Sequence, residues 1–337
     1  DPRVKIGGSE CKQPYLASLL NISAMSFGSL SENAVLAMNK GAKMGNFAHN
    51  TGEGGISPYH LQPGGDLIWQ IGTGYFGCRA TDGGFDADKY IERATLPNVK
   101  MIELKLSQGA KPGHGGILPA NKNTPEIAAI RAVEPYTTVD SPPSHSVFSD
   151  AEGMLHFIQQ LRELSGGKPV GFKLCIGIKR EFIEICEAMI KTGIKPDYIA
   201  IDGGEGGTGA APVEFSNSLG MPLLDGLAFA VDTLRGFGLK KDIRVVASGK
   251  IISSFHIARA MAIGADLVYS ARAMMMAVGC IQALQCNTNT CPVGVATQDR
   301  ELMKGLDVED KATRMYNFHK KTMHILSELI SATGVKS

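Results

Sequence analysis

Three cysteines fall within twelve residues, as Cys280-x5-Cys286-x4-Cys291-Pro292. Thiolates at such gaps, with proline after the last, suit an iron–sulfur cluster, and three without a fourth nearby favour a three-iron form. Zinc usually takes shorter gaps and a fourth ligand. Zinc, or a disulfide with a spare thiol, is the competing reading. Lys173 lies inside the apolar run Val170-Gly171-Phe172-Lys173-Leu174-Cys175. A buried ammonium needs an anionic partner. That partner is either the edge of a flavin ring, which becomes negative on reduction, or a buried carboxylate such as Asp202. Gln108-Gly109-Ala110-Lys111, with Arg131 further on, offers cations for a dianionic substrate. Arginine grips a carboxylate with two bonds and lysine adds a point charge. Arg131 also reads as a solvated arginine on the helical stretch 125–133. Glycine is 40 of 337 residues, clustered at 52–55, 113–116 and 203–209, where backbone can approach a ligand closely. Gly249 and the backbone of Ala271-Arg272, facing Asp202-Gly203-Gly204, would offer N–H groups to a phosphate, or would form tight turns without a ligand.

Positioning these residues requires short strands that alternate with helices. Eight strands are expected, at 20–24, 45–49, 67–71, 100–106, 169–175, 198–202, 244–247 and 267–270. Several are continuous apolar runs, the pattern of parallel strands buried on both faces. Helices are expected at 31–43, 149–164, 178–192, 225–236 and 253–264, with a further one at 308–333 packed outside. Eight such repeats suggest an α/β fold, a (β/α)8 TIM barrel, as one domain over 1–337. The link between strands 4 and 5, about 107–168, is too long for one helix and reads as a functional excursion. A barrel puts chemistry just after its strands, and the unusual segments sit there. The runner-up is an open doubly wound sheet, which wants one early glycine-rich turn.

A net charge of +1, with 20% charged and 44% hydrophobic residues, excludes a basic nucleic-acid footprint and an acidic disordered chain. No apolar run is long enough to span a membrane. Seven cysteines, an odd number, point to a reducing compartment, with Cys11, Cys78, Cys175 and Cys186 as inert core thiols. The location expected is cytoplasmic. The chain opens Asp1-Pro2 without methionine and reads as a processed or excised part of something longer, so attachment to a membrane through an upstream segment stays open.

Taken together the motifs closely resemble the synthase domain of the glutamate synthase family. Ile22-Ser23-Ala24-Met25-Ser26-Phe27-Gly28-Ser29 resembles its first strand and mouth, and Asn50-Thr51-Gly52-Glu53-Gly54-Gly55 its second-strand motif. Lys105-Leu106-Ser107-Gln108-Gly109-Ala110-Lys111-Pro112-Gly113 resembles its fourth, Ser141-Pro142-Pro143-Ser144-His145 its proline-rich excursion, and Gly206-Gly207-Thr208-Gly209-Ala210-Ala211-Pro212 its sixth-strand loop. Residues 280–298 resemble its cluster segment. The resemblance implies FMN and a [3Fe-4S] cluster, and reduction of 2-iminoglutarate, formed from 2-oxoglutarate and ammonia, to L-glutamate. It implies that Lys111 and Arg131 hold 2-oxoglutarate with Gln108 close by, and that Glu53 lies beside the reacting carbon. Lys173 would face the flavin. Ala24, Met25, Ser26, Lys105, Asp202, Gly203, Gly204, Gly249, Ala271 and Arg272 would line the cofactor, and Cys280, Cys286 and Cys291 would hold the cluster.

The family's glutaminase domain and C-terminal β-helix do not read within these residues. Ammonia or an amine is therefore expected from solution or a separate glutaminase subunit. Electrons are expected from a ferredoxin or reductase subunit, in a homo- or hetero-oligomer. His114 stands where glutamate is expected, Ile117 where glutamine is, Asn287 where histidine is, and Gly204-Glu205 where His-Asp is. The Ile117 change is expected to weaken the substrate grip. The alternatives are an N-methylglutamate synthase-type subunit using methylamine, a non-catalytic flavin/iron–sulfur relay, and a 2-hydroxy-acid oxidase with His49, His114 or His145 as base. All flavin readings with a metal centre require the three sulfurs to face one another near the barrel mouth.

Overall fold

The computed structural model describes residues 2–207 and 209–334, so Thr208 of the sixth-strand motif and the extreme ends lie outside the described residues. Eight parallel strands pair in chain order: Leu20–Ile22, His49–Asn50, Leu67–Ile71, Val99–Lys105, Val170–Leu174, Tyr198–Asp202, Arg244–Ser248 and Leu267–Ser270. The eighth pairs back onto the first, with Val268 opposite Leu20, and closes the (β/α)8 barrel. The expected second strand at 45–49 is displaced. The helix Glu32–Gly45 continues through Gly45, Asn46 ends it in the left-handed region at φ 52°, and strand pairing starts at His49.

Strand alternation decides what fills the barrel. At the closed end Ile68, Met101, Tyr198, Ala200, Val246, Leu267 and Tyr269 form one apolar cluster. Higher up, the same faces turn polar: Gln70 on the third strand, Glu103 and Lys105 on the fourth, Lys173 on the fifth, Asp202 on the sixth. Glu103 and Lys105 sit opposite Gly171 and Lys173 in the sheet register. The barrel is thus apolar below and charged toward the mouth, which a ligand-binding cavity at that end requires.

A hairpin that sequence reasoning missed, Arg3–Ile6 with Tyr15–Ser18, covers the closed end, and its Ile6 and Ala17 join the apolar cluster. Asp197 fastens it there. One carboxylate oxygen accepts from the Gly8 N–H at 2.7 Å; the other accepts from the Val170 N–H at 2.8 Å and from Arg162 Nε at 3.1 Å. The excursion after the fourth strand holds a second hairpin, Ile117–Leu118 with Val139–Asp140, the turn Ala120–Lys122 and the helix Pro125–Arg131, before the barrel helix Ala151–Leu164. The C-terminal helix Val308–Ala332 packs outside, its Met315 against Gly41 of Glu32–Gly45. No helix among the described residues is long and apolar enough to cross a membrane.

Two buried histidines make this fold acid-sensitive. His49 lies wholly buried between the first strands and helix residue His60, and burial pushes it down to about 3. His319 of the C-terminal helix stacks on Phe47 at 3.9 Å and is pushed down to about 4, again by burial. Both are neutral when folded and regain an ordinary value of about 6.5 when unfolded. Their contribution is therefore complete above that pH and lost below it, at about 1.4 kcal/mol per pH unit for each. Urea unfolding at pH 7 and pH 5 is expected to show this decline; equal stability at the two would contradict it.

Candidate active site

Glu53, in the loop after the second strand, is the node of the mouth. Its Oε1 accepts from Lys105 Nζ at 2.7 Å, with the two side chains 15% and 8% exposed. Gly72, after the third strand, and Gly116, in the excursion, flank the carboxylate, and a Cβ at either would collide with it. Burial pushes the Glu53 carboxyl up, but Lys105, Arg131 and Lys111 outweigh burial and hold it below the usual carboxylate range. Glu53 is therefore ionised at neutral pH, and its Oε2 makes no hydrogen bond among the described residues.

Arg131 is buried, not solvated, at 4% exposure. The short helix Pro125–Arg131, capped by Thr124, delivers it to the mouth. Its Nη2 donates to Phe27 O at 3.2 Å and Ser26 Oγ at 3.4 Å, its guanidinium lies 5.1 Å from the Phe76 ring centre, and its buried Nε has no partner. Burial lowers its pKa against the pull of Glu53, yet a guanidinium stays charged at any physiological pH. Lys111, also buried, donates from Nζ to Gly115 O at 2.7 Å. Burial and Lys105 pull its pKa down, while Glu53 and Asp140 oppose them. The charges of Lys105, Lys111 and Arg131 thus act together on one largely buried carboxylate. Asp140 is exposed on the hairpin, where water screens it. Buried charge needs a counter-charge, and the unpartnered Nε shows where an acceptor belongs.

On the fifth strand, beside Lys105 of the fourth, Lys173 is buried, and Asp202 is its nearest carboxylate at 4.0 Å. This is the carboxylate pairing weighed in the sequence, but a loose one, because Asp202 already accepts from the Gly109 N–H at 2.8 Å. Lys173 Nζ makes no hydrogen bond among the described residues, so it retains donors for an acceptor entering the mouth. Around it the loops are packed at backbone contact. A Cβ on Gly109 would collide with the Gly203 carbonyl, and Gly249, at φ +140°, backs onto Gly203. The Gly203 and Gly204 N–H groups donate to Ser248 O and Met221 O, each at 2.8 Å, and so are committed to backbone. Arg272 sits against Gly207, where a Cβ would strike its guanidinium. Lys173, the close glycine backbone and Arg272 are the groups at this mouth that could meet a flat anionic-edged ring and its phosphate tail. Gln108 is half-buried at this rim, and Ala24, Met25 and Ser26 run beneath the second-strand loop, where a Cβ on Gly52 would meet Ser26 N at 2.7 Å.

Cys280, Cys286 and Cys291 line one cavity together with Met275, Ile281, Ala283, Leu284, Val293, Val295 and Ala296. Cys286 interacts electrostatically with both other thiols, and the Gln282 N–H points at Cys280 Sγ at 3.4 Å. All seven cysteines are free, which leaves no disulfide in the triplet. No three His, Cys, Asp or Glu side chains among the described residues converge to hold a single metal ion. The three thiols therefore share one small, mainly apolar pocket, and among the described residues they do not converge as ligands of a metal ion. The cavity abuts the mouth, since a Cβ on Gly209 of the sixth-strand loop would meet Cys286 Cβ at 2.6 Å.

The histidines proposed as hydroxy-acid bases are otherwise engaged. His145 bridges the Lys105 carbonyl at 2.9 Å and the Tyr75 hydroxyl at 3.1 Å, while His49 is sealed in the protein. His114 is exposed on the excursion, edge-on to Phe215. Glu205, the departure in the sixth-strand loop, accepts from the Leu223 N–H at 2.9 Å and so caps the helix Leu223–Gly236. Ile117 is 41% exposed and Asn287 is exposed. Of the remaining cysteines, Cys78, Cys175 and Cys186 are buried, and burial pushes the last two up to about 12, whereas Cys11 is only half-buried, in the turn of the N-terminal hairpin. Glu103 escaped sequence reasoning altogether. It is fully buried below Lys105, accepting from Asn50 Nδ2 at 2.9 Å and Gln70 Nε2 at 2.7 Å. Alternation along Met101-Ile102-Glu103-Leu104-Lys105 was the signal available for it.

The conserved region in glutamate synthase, as a family model, matches residues 3–336. The glutamate synthase large subunit-like protein YerD of Bacillus subtilis is 45% identical over 334 residues, 98% of this chain and 63% of that protein. The archaeal glutamate synthase (NADPH) of Methanocaldococcus jannaschii is 37% identical over 319 residues, 94% of this chain and 59% of that protein. The chain thus spans about three-fifths of the length of these curated relatives. Among solved structures, a variant of flavocytochrome b2 with sulfite bound aligns with a TM-score of 0.54 at 14% identity, over 98% of this chain and 69% of that one. A mandelate oxidase variant aligns at 0.51 and 16% identity, over 93% and 78%. These structures share the barrel fold. The chain belongs to the glutamate synthase family.

Proposed function

We propose that the chain catalyses reductive amination of 2-oxoglutarate to L-glutamate, using FMN at the mouth and a [3Fe-4S] cluster on Cys280, Cys286 and Cys291. The observation that supports this most is the set of three buried cations around one partly exposed carboxylate, with an arginine Nε lacking an acceptor. A dianion with two separated carboxylates balances that charge. When bound, the cluster would pass electrons singly to the FMN and the FMN would deliver them as hydride; every other task falls to this chain's side chains.

Arg131 would take one substrate carboxylate through its unpartnered Nε and Lys111 would take the other, which fixes the carbonyl carbon between them. Ammonia condenses with that carbonyl and releases water, and the resulting imine is protonated. Glu53, ionised by its three cations, is a poor proton donor and a good partner for positive nitrogen. Its free Oε2 would accept an N–H of the incoming ammonia and then hydrogen-bond the iminium N–H, while Lys105 holds Oε1 in place. Hydride addition to the carbon yields L-glutamate. Lys173 would stabilise the negative ring edge left when FMN is reduced. The ammonia is supplied free or by a separate glutaminase, and the electrons by a ferredoxin-like or reductase partner.

Dithionite-reduced, FMN-loaded protein is expected to reoxidise with 2-oxoglutarate plus ammonia and not with either alone, as read from the flavin absorbance in an anaerobic cell. Equal reoxidation by 2-oxoglutarate alone, or none with both, would refute the reaction. Arg131→Lys keeps the charge and loses the planar fork. It is expected to weaken one charge-assisted hydrogen bond by ~1.5–3 kcal/mol, which raises the KM for 2-oxoglutarate by ~10- to 150-fold. An unchanged KM removes Arg131 from the substrate grip. Glu53→Gln with FMN retained is expected to lower turnover by ~100-fold or more, the range of a positioned polar group; parent-like turnover removes its role.

A further inference from the structure

Lys122 is a buried ammonium that the proposed reaction leaves without a task. It ends the turn Ala120–Lys122 in the excursion and is 1% exposed. Its Nζ donates to Ser29 O at 2.6 Å, Cys286 O at 2.9 Å and Ala296 O at 3.2 Å. Three acceptors occupy three N–H bonds, which only the charged form possesses. No carboxylate among the described residues bonds to it. The carbonyls belong to three different places: the first-strand mouth, a proposed cluster cysteine, and the far side of the cysteine segment. The neighbouring Asn121 tightens the same junction, donating to Thr288 O at 3.2 Å and accepting from Asn289 Nδ2 at 3.1 Å.

An isolated buried cation is costly, and carbonyl dipoles repay only part of that cost. The groups able to carry negative charge that act electrostatically on Lys122 are the sulfurs of Cys286 and Cys291. We propose that Lys122 is a positioning residue of the metal centre: it ties the cysteine segment to the barrel mouth, and its charge offsets that of the thiolates so that the centre is easier to reduce. This rests on the reading that Cys280, Cys286 and Cys291 hold a cluster. Charge and hydrogen bonding close to a cluster are general determinants of its potential.

The test uses anaerobically reconstituted protein and three variants. Lys122→Gln retains donors without the charge, Lys122→Met removes both, and Lys122→Arg keeps the charge. Redox titration of the cluster signal is expected to place Lys122→Gln at lower potential than the parent and Lys122→Arg near it. Hydrogen exchange of the metal-free protein is expected to show segment 280–298 exchanging faster in Lys122→Met than in the parent. A parent-like potential in Lys122→Gln, or unchanged exchange in Lys122→Met, overturns the proposal. If Lys122→Gln loses its cluster, retention in Lys122→Arg supports the charge, and loss in both overturns it in favour of simple packing. A parent that takes up no iron and sulfide overturns the cluster reading itself, and this proposal with it.

Discussion

Three cations held out of water around one carboxylate set the conditions for the rest of the mouth. Lys105, Lys111 and Arg131 come from the fourth strand, the loop after it and a helix of the excursion, and Glu53 comes from the loop after the second strand. Bringing them together requires glycine at both flanks of Glu53 and a chain that leaves the barrel after strand four and folds back over it. The excursion is thus the means by which Arg131 reaches the first two loops. Its hairpin, its three-residue turn and its capped helix are the scaffold of that reach.

The same excursion joins the cysteine segment to the cation cluster around Glu53. Arg131 touches the first-strand mouth through Phe27 and Ser26, while Lys122, nine positions earlier, touches it through Ser29 and holds the cysteine segment. One short stretch of chain therefore sets both the place of Arg131 and the place of the thiols. The sixth-strand loop closes the remaining side, with Gly209 against Cys286 and Gly203 against Gly109.

Strand and helix periods carried the barrel into view before any coordinates. Three strands have the expected ends, because runs such as Leu67–Ile71 are bracketed closely by glycine-rich turns. The second strand shifted because a left-handed asparagine, not the apolar pattern, decides where its helix stops. The N-terminal hairpin was invisible because its four-residue strands carry too little pattern, and its purpose lies in tertiary packing of Ile6 and Ala17. Lys173, Arg131 and the cysteines were legible as candidates from type and spacing. The partner of Lys105 was not, because Glu53 is 52 positions away in sequence and only closure of the barrel brings them together. Glu205 shows the converse, a departure in a functional loop whose visible task is to cap a helix.

The hairpin stoppered into the base of the cylinder by Asp197 has a kinetic corollary. Anything that lodges beside Lys173 would have to enter and leave through the rim loops, since the hairpin and its apolar cluster shut the other end. A tightly held visitor at the rim would then act as a cork.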